Sequence, residues 1–207
     1  MLHYEAVESG TLGLLKILMQ IPELGQFRLV GGTALALLLG HRTSLDLDLF
    51  TSDAFDKNVI FDVLQKSFTD FSIAEPRSSR LLFANINGIK TDFVHIFEPF
   101  NSNFKTVNHI RLASLEEIAA FKLNAIAGRG AKKDFWDIHC LLKKFTFDQM
   151  LRFYNKKYPH NDLMTVIKSI NYFEDAESNP DPFSFENIKW ESIKKELRVT
   201  LKNYLNK

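Results

Sequence analysis

Two aspartates one residue apart, Asp46 and Asp48 in the stretch SLDLDLF, are the residues most able to do chemistry in this sequence. The stretch alternates strictly, which places Leu45, Leu47 and Leu49 on one face of a strand and both carboxylates on the other. Two carboxylates that close repel, and one takes up a proton unless a cation sits between them. Mg²⁺ supplies that cation, because it prefers carboxylate oxygens and substrate phosphates. A third acid on a neighbouring strand would complete a two-metal site for in-line attack on phosphorus, and Asp92 in KTDFVHI is the candidate. Just upstream, Gly31 and Gly32 close the apolar FRLV and open TALALLLG. A strand, a side-chain-free turn and a helix bring bare backbone N–H groups to a helix N-terminus, where a phosphate is favoured. Thr33 and Ser44 offer hydroxyl donors there; Arg42 either pairs with a phosphate or braces the aspartate strand. Taken singly, Gly-Gly after a strand is a turn and D-x-D is a solvated strand face; the ordered combination is what points to phosphoryl chemistry.

Positioning these groups requires a mixed α/β front half. Leu and Ile recur at helical spacing from about Tyr4 to Ile21, ended by Pro22, and FRLV reads as a short buried strand. TALALLLG predicts a two-turn helix capped by Gly40, and Asp53 to Phe68 a further helix. FSIAE and RLLFANI read as strands, with Asn87-Gly88 turning the chain into IKTDFVHIF. The stretch EPFNSNFKTVNHIRLA reads as a polar, partly irregular connection, after which SLEE opens a helix as a capping box, Ser114 capping and Glu117 reaching back. The remainder is helical, broken near Gly128–Gly130, Pro159 and NPDP. The expected division is residues 1–110 as an α/β domain and 111–207 as a helical domain completing the cleft.

In that back half Lys122 and Arg129 lie two turns apart on one helix face, and Asp134 and Asp137 share a face of the next helix, preceded by Lys132 and Lys133. A solvated helix pair accounts for surface charges, but Lys122 sits among Ile118, Ala119, Ala120, Phe121 and Leu123. A cation in so apolar a stretch reaches toward a cleft, a triphosphate or acidic side chains.

The formal net charge of +1 does not advertise a nucleic-acid binder, so any basic patch is local. The 19 phenylalanines against 2 tryptophans suggest a core filled with rings. The single cysteine, Cys140, rules out an internal disulfide framework and reads as a small buried residue. MLHYEAVESG shows no signal-peptide pattern and ALALLL is too short to span a bilayer, so a cytoplasmic protein with no membrane partner is expected. His41, His95, His109 and His139 lack metal-ligand spacing and read as structural.

The glycine turn, short helix, D-x-D strand and later strand aspartate resemble the signature of the nucleotidyltransferase superfamily related to DNA polymerase β. Together with SLEEIAAFKLNAIAGRGAKKDFWDIHCLL, GGTALALLLGHRTSLDLDLF resembles the AbiEii/AbiGii-type nucleotidyltransferase toxin family over roughly Phe27 to Leu142. The resemblance implies an α+β fold, with a polymerase β-like domain whose mixed sheet is flanked by helices, followed by a helical bundle. It implies transfer of a nucleoside monophosphate from an NTP with release of pyrophosphate, dependent on Mg²⁺, with two ions. Asp46, Asp48 and Asp92 would bind metal; Gly31, Gly32, Thr33, Arg42, Ser44, Lys122 and Arg129 would bind the nucleotide. Asp137, or Asp134 beside it, would act as an acceptor base or hold Lys122. The partners so implied are the NTP, the acceptor end of tRNA and a winged-helix antitoxin. Other readings keep the chemistry with a protein or small-molecule acceptor, or keep the fold as a non-catalytic binding module. The C-terminal helices carry basic and aromatic residues, as in RFYNKKY and LNK, that suit RNA phosphates or solvent equally.

Overall fold

The chain leaves a 3₁₀ turn at Tyr4–Ala6 and enters α1 (Ser9–Gln20), later than the helical spacing predicts. The computed structural model describes residues 1–74 and 77–206; Glu75, placed in a strand from sequence, and the terminal Lys207 lie outside them. β1 (Arg28–Val30) runs straight into α2 (Gly31–Leu39), so the two glycines are the first turn of the helix rather than a loop before it. Residues Gly32 to Leu37 of α2 are all buried, as a helix apolar all round must be. Each fully buried leucine there contributes roughly 1.5–3 kcal/mol. Gly40 ends the helix in the left-handed conformation (φ 64°), its N–H donating to Ala36 O at 2.8 Å.

β2 (Leu47–Thr51) begins one residue after Asp46. The alternation therefore overshoots at its start, and Leu45 is exposed rather than inward-facing. α3 (Lys57–Ser67) starts four residues later than Asp53, because Asp56 caps it by accepting from Asn58 N. β3 (Phe71–Ala74), β4 (Leu81–Ile86) and β5 (Ile89–His95) follow, with Asn87 and Gly88 at φ 52° and 80° forming the tight hairpin expected of Asn-Gly. β6 (Lys105–Val107) and β7 (Ile110–Leu112) occupy the stretch expected to be irregular. Strands of three residues are too short to show alternation, and their turn uses Asn108 and His109 at positive φ rather than glycine. The sheet runs β3-β4-β5-β2-β1-β7-β6, with β2–β5 and β1–β7 parallel and the remaining pairs antiparallel. β7 straddles position 110 and adds to the sheet beside β1, so the sheet continues past the expected boundary.

Six helices follow among the described residues: α4 (Leu115–Gly128), α5 (Lys132–Leu142), α6 (Phe147–Lys157), α7 (Leu163–Ser169), α8 (Glu174–Glu177) and α9 (Trp190–Leu205). Ser114 caps α4 as expected, accepting from Glu117 N. The Glu117 side chain does not return to the cap. It is buried, accepts from Asn101 N and pairs with buried Lys157 at 3.2 Å, tying α4 to α6 and to the loop before β6. α2 is packed against β1, β2, α4 and α5, which places the glycine turn where sheet and helices meet. Among the described residues no helix is long and apolar enough to cross a membrane.

Candidate active site

Antiparallel pairing sets Val30 opposite Asp48, and parallel pairing sets Asp48 beside Asp92. The chain therefore leaves β1 directly over the Asp48 carboxylate. Gly31 sits there at φ 68°, and a Cβ on it would run into that carboxylate, 2.8 Å from Cγ. A Cβ on Gly32 would lie 2.5 Å from Arg42 Nη2 and 3.1 Å from Ser44 Oγ. Both glycines are required by close approach, and at Gly31 by backbone sign as well. Among the described residues no side chain caps the N-terminus of α2, and its first two residues, Gly31 and Gly32, line the cleft.

The cleft has a volume of about 510 Å³. Its floor is Gly31, Gly32, Ser44, Asp46, Asp48 and Asp92, and its far wall is Lys122, Ala125, Arg129 and Lys133 from α4 and α5. Beyond Asp48 along β2 it is lined by Phe50, Phe121, Asn124 and Tyr158. Phe121 packs edge-on against Phe50 at 5.4 Å and Tyr158 at 6.4 Å between ring centres.

The electrostatics divide sharply. Burial pushes the Asp48 carboxyl upward; Lys122 opposes this, Asp92 adds to it, and the result lies above the usual carboxylate range. Asp92 Oδ2 is 2.9 Å from Lys90 Nζ, while its Oδ1 is buried without a hydrogen-bond partner among the described residues. Asp46, just ahead of β2, lies 3.7 Å from Lys133 Nζ. Lys90 is raised by its hydrogen bond to Asp92, an effect that outweighs its partial burial and to which the charges of Asp46 and Asp48 add. Among the described residues no group of three His, Cys, Asp or Glu is arranged to hold a metal ion. Asp46, Asp48 and Asp92, the three carboxylates expected to bind metal, thus share one cleft, with the outer two paired to lysines.

On α5 the reverse holds. Asp137 has no exposed surface; it accepts from Arg42 Nε at 2.6 Å and Nη2 at 2.8 Å, pairs with Lys122 Nζ at 2.6 Å, and is 2.7 Å from His41 Nε2. Burial would raise it, but Arg42 and Lys122 outweigh that and hold it well below the usual carboxylate range. Asp134, also fully buried, accepts from Lys122 at 2.8 Å and from Arg129 Nε at 2.9 Å, and is likewise lowered against its own burial. Lys122 is lowered by burial and raised more strongly by Asp137 and Asp134.

These contacts sort the expected site residues. Gly31, Gly32, Arg42, Ser44, Asp46, Asp48, Asp92, Lys122 and Arg129 all line the cleft. Thr33 does not: it is fully buried, hydrogen-bonding Ser44 Oγ at 2.8 Å and donating to the Asp46 carbonyl, so it braces the turn. Asp137 lies beneath the wall with both oxygens bonded, which suits holding Lys122 and not accepting a proton from an acceptor. Arg42 is nearly buried and bonded bidentately to Asp137, so it braces rather than waits for phosphate. Missed from sequence were Lys90, Lys133, Phe50, Asn124 and Tyr158. Lys90 was signalled by its place two residues before Asp92 on one strand face; Tyr158, past the end of α6, carried no local signal. Burial pushes the Cys140 thiol up to about 11, as suits an inert core cysteine.

The α+β fold, a seven-stranded mixed sheet backed by helices, is that of the polymerase β-like nucleotidyltransferases. The sequence pattern described as "Nucleotidyl transferase AbiEii toxin, Type IV TA system" matches residues 13–83 and 89–205, and the chain belongs to that family. It is 33% identical over 196 residues to an uncharacterized protein of Aquifex aeolicus (strain VF5), covering 86% of this chain and 88% of that one. A crystal structure from H. pylori assigned as a nucleotidyltransferase superposes with a TM-score of 0.58 at 19% identity, covering 95% of both chains. JHP933 from Helicobacter pylori gives 0.54 at 19% identity, covering 95% of this chain and 92% of that one. The family's place in type IV toxin–antitoxin systems implies an NTP substrate and an antitoxin partner.

Proposed function

We propose that the cleft transfers a nucleoside monophosphate from an NTP to an acceptor hydroxyl, with Mg²⁺, and that the acceptor is the 3′ end of tRNA. The observation that carries the metal-dependent reading is the pairing of Asp48 with Asp92 across β2 and β5, beneath uncapped N–H groups, with Asp92 Oδ1 buried and unbonded. Three carboxylates are a hard oxygen donor set suited to Mg²⁺, which Asp46, Asp48 and Asp92 would hold. When bound, the metal supplies neutralising charge and Lewis acidity at the phosphates.

The chain's own residues do the rest. The N–H groups of Gly31 and Gly32 take phosphate oxygens at the start of α2. Lys122, held from behind by Asp134 and Asp137, presents its charge from the opposite wall, and Arg129 stands beside it at the mouth. The ring wall of Phe50, Phe121 and Tyr158 takes the base by stacking, and Asn124 offers an amide to its edge. So held, the NTP is attacked at its α-phosphorus by the acceptor hydroxyl, whose proton is released to water; the bond to the oxygen bridging to the β-phosphate breaks and pyrophosphate leaves. Positioning and charge neutralisation carry such catalysis. Residues 1–110 supply the floor and residues 111–207 the wall, and the antitoxin, of winged-helix type, acts on this enzyme or its product.

The test is incubation with each labelled NTP, Mg²⁺ and total tRNA, in parallel with protein extract. Label is expected in tRNA, lost by more than about 10³-fold in Asp48→Ala. Wild-type rates in Asp48→Ala would refute the site; label in protein alone would refute the tRNA acceptor while leaving the transfer.

A further inference from the structure

Two lysines from different elements line the cleft, each in ion-pair contact with an acid of the floor. Lys90 on β5 pairs with Asp92 at 2.9 Å, and Lys133 on α5 lies 3.7 Å from Asp46. Their side chains remain 58% and 47% exposed, respectively. Lys122 is the opposite case, with 5% exposure and two fully buried partners. The distinction decides what each lysine can do. A buried ion pair cannot be opened without stranding a charge, whereas an exposed ammonium–carboxylate pair contributes only about 0–1 kcal/mol and opens readily. Both outer acids are the oxygens that a divalent cation would claim, and both lysines are long, mobile and close to the glycine turn that lines the same cleft.

We propose that Lys90 and Lys133 are exchangeable counter-ions: each holds one outer carboxylate in the metal-free cleft, and each is handed to the nucleotide's phosphate tail when a divalent cation takes that carboxylate. This rests on the nucleotidyl-transfer reading of the cleft and adds an order to it, since metal loading creates the phosphate donors. It also requires opposite effects on two ligands. Removing either lysine removes a competitor for the metal and a donor for the phosphates, so metal binds more tightly and nucleotide more weakly. A lysine that merely stabilised a surface would give neither sign.

The experiment compares the full-length protein with Lys90→Gln, Lys133→Gln and Lys66→Gln, the last an exposed lysine of α3 that is not among the cleft-lining residues. Mn²⁺ binding is titrated calorimetrically at low ionic strength without nucleotide, then binding of an NTP analogue with a methylene bridge between the α- and β-phosphates at saturating Mn²⁺. Each cleft variant is expected to bind Mn²⁺ on the order of 3- to 10-fold more tightly and the analogue weaker by a similar factor. The Mn²⁺ gain should shrink as salt is raised, and Lys66→Gln should move neither constant. Unchanged or weaker Mn²⁺ affinity in the cleft variants overturns the exchange, as does tighter Mn²⁺ with unchanged analogue binding. A wild-type protein that binds neither Mn²⁺ nor the analogue overturns the nucleotidyl-transfer reading itself.

Discussion

Five aspartates surround the cleft, and the helix side treats its two differently from the way the sheet side treats its three. Asp134 and Asp137 on α5 are fully buried, and Arg42, Lys122 and Arg129 bond their oxygens with His41 beside them. Asp46, Asp48 and Asp92 face solvent in part, meet only exposed lysines at the outer two positions, and leave one buried oxygen bare. The same side chain is a saturated brace in one place and an under-compensated acid in the other. What separates them is saturation: an acid whose lone pairs are filled by fixed cations has no capacity left for a ligand, and an under-compensated one does.

Asp137→Ala should break this contrast most severely. It strands Arg42 in the interior and leaves Lys122 with Asp134 alone, and a loss of about 3–5 kcal/mol is expected, read as a large fall in thermal midpoint. Asp48→Asn should do the reverse, abolishing transfer while leaving the midpoint unchanged or higher, because an acid held above its usual range is destabilising when ionised. A midpoint that falls equally in both variants would erase the distinction between saturated brace and under-compensated acid.

Gly31→Ala comes next. The added methyl meets the Asp48 carboxylate in a backbone conformation that costs an L-residue, together about 1–3 kcal/mol. Denaturant unfolding should show that loss, with nucleotide binding falling further than stability does. The smallest effect sharpens the contrast through pH. Asp134 and Asp137 lie below their unfolded value, so their contribution is complete above about pH 4 and lost as pH falls through their folded values. Asp48 lies above its unfolded value, so its penalty is greatest at neutral pH and relieved as acid protonates it. The stability advantage of Asp48→Asn over wild type should therefore shrink from pH 7 toward pH 4 in paired melts; an advantage that grows would reverse the assignment.

The residues gathered on the cleft floor were the easiest to read from sequence. Asp46 and Asp48 announce themselves by period-two spacing, Gly31 and Gly32 by following an apolar strand, and Asp92 by lying in the strand that the Asn87-Gly88 turn opens. Local pattern suffices when the relevant contact is one strand away. It fails for β6 and β7, too short for alternation and turned without glycine. It also fails where partners are remote: Arg42 meets Asp137 across 95 positions, so its bracing role had no sequence signature to distinguish it from a phosphate ligand. Thr33 and Glu117 were misjudged for a related reason, since nearby groups offered plausible partners that tertiary packing then replaced. The ring wall assembles from β2, α4 and the end of α6, and no window of sequence contains all three.

The guanidinium that spans from residue 42 to residue 137 carries a consequence for ancestry and for engineering. The two ends are unequal: losing Asp137 orphans the Arg42 guanidinium in a dry interior, whereas losing Arg42 leaves Asp137 with Lys122 and His41. Losing the acid at 137 therefore calls for losing the cation at 42 as well, and a chimera grafting the helices of one relative onto the sheet of another has to bring an acid at 137 wherever the sheet brings a buried cation at 42.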